Sequence, residues 1–260
     1  MFLYILISLT GLIIFIYYYI NVRYLIPKKE VIKNKINKVL VGLPVIDRDF
    51  YLTESFYNNL INSIKNIKNI NFDLFIVTRK EDKKIINFWK DKAKINLVDN
   101  YKIKKRHNMK NLSKKFNIIK NYADDNNYDA LIIIESDIII KNDTIPKLIR
   151  SLNKSHISLF PFETPWTGYP LIVEDNFYYK LNNTRNLKQN ELFILGHGTG
   201  CIIINKQVLK DKNINFNREV IFNIEGQDVG FFNKVNQNYY KVLMINEELG
   251  HRYQISDALI

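Results

Sequence analysis

Glu135 and Asp137 are the residues whose types and spacing point most directly to chemistry. They close the apolar run of Tyr128-Asp-Ala-Leu-Ile-Ile-Ile-Glu-Ser-Asp-Ile-Ile-Ile140. If the chain stays extended through Ser136, the two-residue alternation of a strand sets both carboxylates on one side. Two neighbouring carboxylates are costly to remove from water unless a cation balances them. Ala130 to Ile134 reads as a central strand covered on both faces, as in a parallel sheet. Ligands of α/β folds bind beyond the C-terminal ends of such strands. The pair therefore suggests a divalent-metal site at a strand terminus. The alternative open to this segment alone is a charged strand end that faces water.

The elements that must position this pair alternate between strand and helix. Lys38 to Val45 is a first strand ending in Gly42-Leu-Pro44, and Phe56, Tyr57, Leu60, Ile61, Ile64 and Ile67 then keep a helical period. Phe72 to Thr78 is a second strand, Glu81 to Lys90 a helix, and Ile95 to Val98 a short third strand. Met109, Leu112, Phe116, Ile119 and Ala123 mark one face of a longer helix. This order predicts a mostly parallel sheet with right-handed crossovers, in which Ala130 to Ile134 is the fourth strand. Further on, Asp143 or Thr144 would cap a helix carrying Pro146 in its first turn. His156 to Phe162 is a strand and Glu163 to Pro170 a turn-rich loop around Trp166 and Tyr169. Gly196-His-Gly-Thr-Gly200 precedes the apolar run Cys201 to Ile204. Glu225-Gly-Gln-Asp228 heads a helix, Tyr239 to Ile245 is a last strand, and His251 follows it.

Ahead of this domain, Phe2 to Ile20 carries no charge, and 19 residues span about 28 Å as a helix. That matches a bilayer core of about 30 Å. There is no basic n-region and no small-residue cleavage site, so an uncleaved anchor is expected over a signal peptide. The division expected is an anchor at 1–22, a basic stalk at 23–37 and a catalytic domain at 38–260. Arg23, Lys28, Lys29, Lys33, Lys35 and Lys38 follow the span, which sets the domain on the cytoplasmic side by the positive-inside rule. Cys201 is the only cysteine, so no intramolecular disulfide forms. The net charge of +12 suits anionic partners, a nucleoside diphosphate or acidic lipid headgroups. The lysines are dispersed and accompany no nucleic-acid motif, so a nucleic-acid partner is not expected.

The ordered set of motifs resembles the nucleotide-sugar glycosyltransferases of the GT-A fold over roughly Lys38 to His251. Glu135-Ser-Asp137 resembles their DxD metal signature, with Glu in first place. Gly196 to Gly200 resembles the glycine-rich loop before the acceptor site, and Gly226-Gln-Asp228 the xED motif at a helix start. His251 resembles the C-terminal histidine that completes the metal shell. Two departures are plain. The second strand ends Val77-Thr-Arg-Lys80 rather than in Asp-Asp-Gly-Ser, and Gln227 stands where Glu is usual.

The resemblance implies a Rossmann-like α/β domain that transfers a sugar from a UDP- or GDP-linked donor to a glycan, lipid or protein acceptor. It implies Mn²⁺ or Mg²⁺, which takes hard ligands at the departing diphosphate. Asp137 is the main expected metal ligand, with His251 as a nitrogen ligand. Glu135 is a second ligand or an acceptor for the ribose. Asp228 is the expected base toward the acceptor hydroxyl, its pKa lowered by the helix dipole, and Glu225 is the reserve. Gly42, Pro44, Gly198 and Gly200 are expected donor contacts, the glycines by letting backbone approach the sugar. Arg79, Arg106 and Lys110 are candidate diphosphate or nucleoside contacts, and Trp166 and Tyr169 candidates for stacking on a sugar ring. Two other readings stand beside this one: a sugar-nucleotide nucleotidyltransferase on the same fold, and a non-catalytic membrane protein on a decayed transferase scaffold.

Overall fold

Three strands with buried apolar runs and a partly exposed edge strand make the half of the sheet that carries the acidic pair. The computed structural model describes residues 28–33, 35–47, 50–98, 108–162, 171–174, 177–180, 191–194, 196–217, 219–221, 224–245, 247 and 249–251. The expected anchor lies outside these residues, and no helix among the described residues is long and apolar enough to cross a membrane. Residues from Val31 onward form one compact unit that contains every described strand and helix.

In chain order come β1 (Lys38–Pro44), α1 (Phe50–Ile64), β2 (Asn71–Arg79), α2 (Lys83–Trp89), β3 (Lys94–Val98), α3 (Asn108–Asp125) and β4 (Ala130–Ile134). β1 pairs in parallel with β2 on one side and with β4 on the other, and β3 adds in parallel to β2. The strand order therefore reverses at β1, which creates a crevice beyond the C-terminal ends of β1 and β4. β4 is buried at every position, as expected of a strand covered on both faces.

β5 (Ile138–Ile139), α4 (Thr144–Ser151), β6 (Ile157–Leu159), β7 (Leu171–Glu174), β8 (Phe177–Lys180), β9 (Glu191–Ile194) and β10 (Gly196–His197) follow. The chain then forms β11 (Cys201–Asn205), α5 (Lys206–Lys210), β12 (Glu219–Ile221), β13 (Ile224–Gly226), α6 (Gln227–Gln237), β14 (Val242–Ile245) and β15 (Gly250–His251). The main sheet runs β3-β2-β1-β4-β11-β6-β14-β9. Its second half is mixed: β11 is antiparallel to β4 and β6, β14 is parallel to β6, and β9 is antiparallel to β14. The expected mostly parallel sheet thus holds around the crevice and gives way beyond β4.

Alternate residues of the central strands feed two cores. Leu40, Leu131, Ile133, Ile202 and Ile204 pack with Phe116 and Ile119 of α3, Val208 of α5 and Phe231 of α6. Val39, Val41, Ala130, Ile132 and Ile203 pack with Phe56 and Leu60 of α1, Trp89 of α2 and Leu148 of α4. The result is a three-layer α/β/α domain. Cys201 lies fully inside the second core, where burial pushes its thiol pKa up.

Two helix starts, those of α4 and α2, are capped from a distance, whereas Asn205 Oδ1 caps α5 locally by accepting from Val208 N. The side chain of Asp143 makes no cap hydrogen bond; Ser63 Oγ accepts from Ile145 N at 3.1 Å instead, and Thr144 Oγ1 accepts from Lys141 N. Asp47 Oδ1 likewise accepts from Ile85 N at 3.0 Å at the head of α2. The stalk residues just before β1 are tied down as well. Asn37 N and Lys38 N donate to Asp129 Oδ2, and Ile32 N donates to Gln207 Oε1.

Candidate active site

The acidic pair sits on a turn at the mouth of the crevice, which corrects the expectation of an extended chain. Ile138 N donates to Glu135 O at 3.2 Å, closing the turn, and Ser136 is buried inside it. The two carboxylates are therefore placed by turn geometry and not by strand alternation. Glu135 N donates to Gly200 O at 2.8 Å, so the glycine loop is bound directly to the acidic turn. Oδ1 of Asp137 is shielded from water.

Immediately after the turn, β5 pairs antiparallel with β15, setting His251 opposite Ile138 and Gly250 opposite Ile139. A residue more than a hundred positions away in sequence is thereby brought next to Asp137 by backbone pairing. Leu249 is fully buried, its N–H donates to Pro161 O at 3.0 Å, and it bridges to Phe162. The side chain of His251 lies outside the described residues, as do those of Glu225 and His197. Among the described side chains no group of three His, Cys, Asp or Glu residues could hold a metal ion. The described donors do suit a hard divalent ion: two carboxylates one residue apart, one with a buried oxygen.

Packing accounts for the spacing of the glycines. A Cβ on Gly198 would stand 2.9 Å from Cζ of Phe162, and one on Gly200 would stand 2.8 Å from the same atom. Both glycines thus press the loop onto the Phe162 ring. Between them Thr199 is buried, and its hydroxyl has no hydrogen-bond partner among the described residues. Sequence reasoning passed over Phe162 and Thr199. The Gly-x-Gly spacing was the available signal for both.

Asp228 occupies the first turn of α6, a helix that packs against β10, β12 and β13. Its Oδ1 accepts from Val229 N at 2.9 Å. Burial raises its pKa and outweighs that hydrogen bond, so the lowering expected from the helix dipole is overturned. Gly226 makes the arrangement possible, because a Cβ there would meet Asp228 Oδ1. Glu225 lies in β13, its backbone opposite Val220.

The remaining candidates divide. Gly42 and Pro44 are buried at the end of β1, and Gly42 makes room for Ile119, whose Cγ2 would be 2.1 Å from a Cβ at that position. The role visible for Gly42 is close approach of α3 to the sheet. Arg79, at the C-terminal end of β2, is held by Asp82 through both Nε and Nη2. Asp82 is 1% exposed and also accepts from Thr78 Oγ1 at 2.8 Å. Burial pushes the Asp82 pKa up, but Arg79 and the other donors outweigh it and hold the group below its ordinary value. Lys115, another residue passed over in the sequence, is buried with Nζ donating to Val45 O at 2.7 Å beside the crevice. Arg106, Trp166, Tyr169 and the side chain of Lys110 lie outside the described residues.

No protein-family model matches this sequence, and no curated protein matches it. Solved structures do resemble it in fold. S. aureus TarS 1–349 superposes with a TM-score of 0.52 at 14% identity, over 82% of this chain and 60% of that one. TarS 1–349 in complex with UDP-GlcNAc gives 0.52 at 16% identity, covering 84% and 59%. Its complex with UDP gives 0.51 at 15% identity, covering 85% and 62%. This chain therefore spans about three fifths of the TarS 1–349 chain. The described domain has the GT-A-type α/β fold that its motifs resemble, a fold shared with a protein solved with a nucleotide sugar bound.

Proposed function

We propose that this chain is a membrane-anchored glycosyltransferase, dependent on Mn²⁺ or Mg²⁺, that moves a sugar from a nucleoside diphosphate donor to an acceptor hydroxyl. The observation that carries the reading is the pairing of Gly250–His251 with Ile138–Ile139, which brings the chain's last motif to the acidic turn at the strand-order reversal. The fold match to a UDP-GlcNAc complex favours UDP-linked donors over GDP-linked ones as the first to test.

In this reading Asp137, Glu135 and His251 would hold the divalent ion. When bound, that ion stabilises the negative charge growing on the departing diphosphate. Glu135, tied by its N–H to Gly200, keeps the acidic turn and glycine loop in one fixed relation. Asp228 takes the proton of the acceptor hydroxyl at its carboxylate, and Glu225 is the reserve. A raised pKa makes Asp228 a stronger base than an exposed carboxylate. Backbone at Pro44, Gly198 and Gly200 would contact the donor, while Gly42, paired with strands on both sides, serves the packing of α3. Arg79, already oriented by Asp82, presents its guanidinium edge to the nucleoside or diphosphate, with Arg106 beside it in role. The uncharged span Phe2 to Ile20 and the basic residues after it support a single-pass anchor with the domain on the cytoplasmic side.

The deciding experiment is a hydrolysis screen of UDP- and GDP-sugars with and without Mn²⁺, using the full chain in detergent. The expected result is turnover of at least one UDP-sugar only when metal is present. Failure of every donor to turn over with metal would sink the proposal, and full activity in Asp137→Ala would sink the metal assignment alone.

A further inference from the structure

We propose that Glu247 is a positioning residue for His251, holding the chain's last strand in register with the acidic turn. The inference deepens the metal reading above and rests on it. β15 and β5 are two residues each, a ladder too short to fix itself. Its register shows what does fix it. Gly250 lies opposite Ile139 and His251 opposite Ile138. Outward of this ladder the next described residues are Leu249 and Glu247 on one side and Ile140 and Lys141 on the other.

At that outer end Glu247 is held by two lysines, one on each carboxylate oxygen. Lys141 Nζ meets Oε1 at 2.9 Å, and Lys147 Nζ, from α4, meets Oε2. Lys147 is itself fixed by Asp143 at 2.7 Å. The lysines hold the Glu247 carboxyl below its ordinary pKa. The short ladder is thus bracketed, with Asp137 and His251 at one end and Lys141 and Glu247 at the other. Buried Leu249 anchors the middle through Pro161.

An exposed ion pair on its own changes folding stability little, and Glu247 is 31% exposed. Its leverage is positional: four residues before His251, it fixes where the backbone that bears the imidazole can lie. Loss of the pairing lets the segment sample other registers, and the imidazole then spends part of its time away from the ion.

The test uses the full chain in detergent with Mn²⁺ alone, followed by free-Mn²⁺ spin resonance. Glu247→Gln is expected to weaken Mn²⁺ binding by about two- to fivefold, the range exposed charge pairs support. It is expected to weaken binding no further in a His251→Ala background, and Glu247→Asp is expected to recover most of the loss. A second readout needs no metal: backbone hydrogen exchange over residues 249–251 should quicken in Glu247→Gln. Unchanged exchange, or equal weakening with and without His251, overturns the proposal. If the unsubstituted chain binds no Mn²⁺, the metal reading falls, and with it the proposed role of Glu247. A quickened exchange would then report only a structural tie.

Discussion

The carboxylate of Asp228 lies where a side chain at Gly226 would have to be, with Oδ1 2.1 Å from the position of a Cβ there. Gly226 adopts extended backbone that any residue can take, so the need for glycine here is spatial. Gly226→Ala is expected to push the carboxylate aside while leaving the fold intact. Transfer should fall by about 10²–10⁴-fold, as for loss of a general base, and Asp228→Asn should match it. Single-turnover rates with a working donor measure both, and circular dichroism checks the fold.

Burial raises the pKa of Asp228, and this has a stability consequence of opposite sign to its proposed role. A carboxyl whose folded pKa exceeds its unfolded one favours the fold when protonated. That advantage is complete below the unfolded pKa and is lost as pH rises through the folded one. Asp228→Asn should therefore raise Tm at neutral pH, with the gain vanishing as pH falls below about 4. In the unsubstituted chain, the proposed transfer should fall on acidification through a pKa above the ordinary aspartate range. Thermal melts and rate profiles across pH follow the two effects separately.

Asp82 behaves in the reverse sense. Its pKa is lowered despite burial, so its contribution is present above the ordinary carboxylate value and is lost as pH falls through the folded pKa. Asp82→Asn should cost about 1–3 kcal/mol at neutral pH, because it breaks charge-assisted bonds to Arg79 and leaves donors to re-pair. The same substitution should flatten the loss of stability below about pH 4. Urea unfolding at pH 7 and at acid pH gives both numbers.

Gly42→Ala should destabilise by about 1–3 kcal/mol, since the new methyl meets Ile119 Cγ2 at 2.1 Å inside a filled core. Adding Ile119→Ala removes the obstructing atoms. The double variant should be more stable than the sum of the two single losses implies, a non-additivity that urea midpoints resolve.

Much of this fold was legible from local patterns. Ala130–Ile134 was read with its observed ends because a strand buried on both faces is apolar at every position. The helical face of Phe116, Ile119 and Ala123 is buried as its period requires. What escaped reading is long-range. Ser63 caps α4 from 82 residues away, while the local candidate Asp143 turns to Lys147. Asp47 does the same for α2. The turn at Ser136 begins where Glu135 N binds Gly200 O, a partner no window around residue 135 contains. The site motifs were readable in order, but what joins them is a two-residue ladder and a phenylalanine behind the glycines. Neither leaves a period in the sequence.

The antiparallel pairing of β11 with β4 has a consequence for biogenesis. β4 can find β1 as soon as residue 134 has been made, yet its other edge stays open until Cys201–Asn205 arrives. For that interval the nascent chain displays Ala-Leu-Ile-Ile-Ile as a bare edge of flat, uncharged, strongly β-forming sequence. Glu135 and Asp137 stand next to that edge as negative charges that discourage neighbouring copies from stacking on it. Slowing synthesis between residues 134 and 205 should therefore raise the aggregated fraction. Removing both carboxylates should raise it further, even where catalysis is not being asked for.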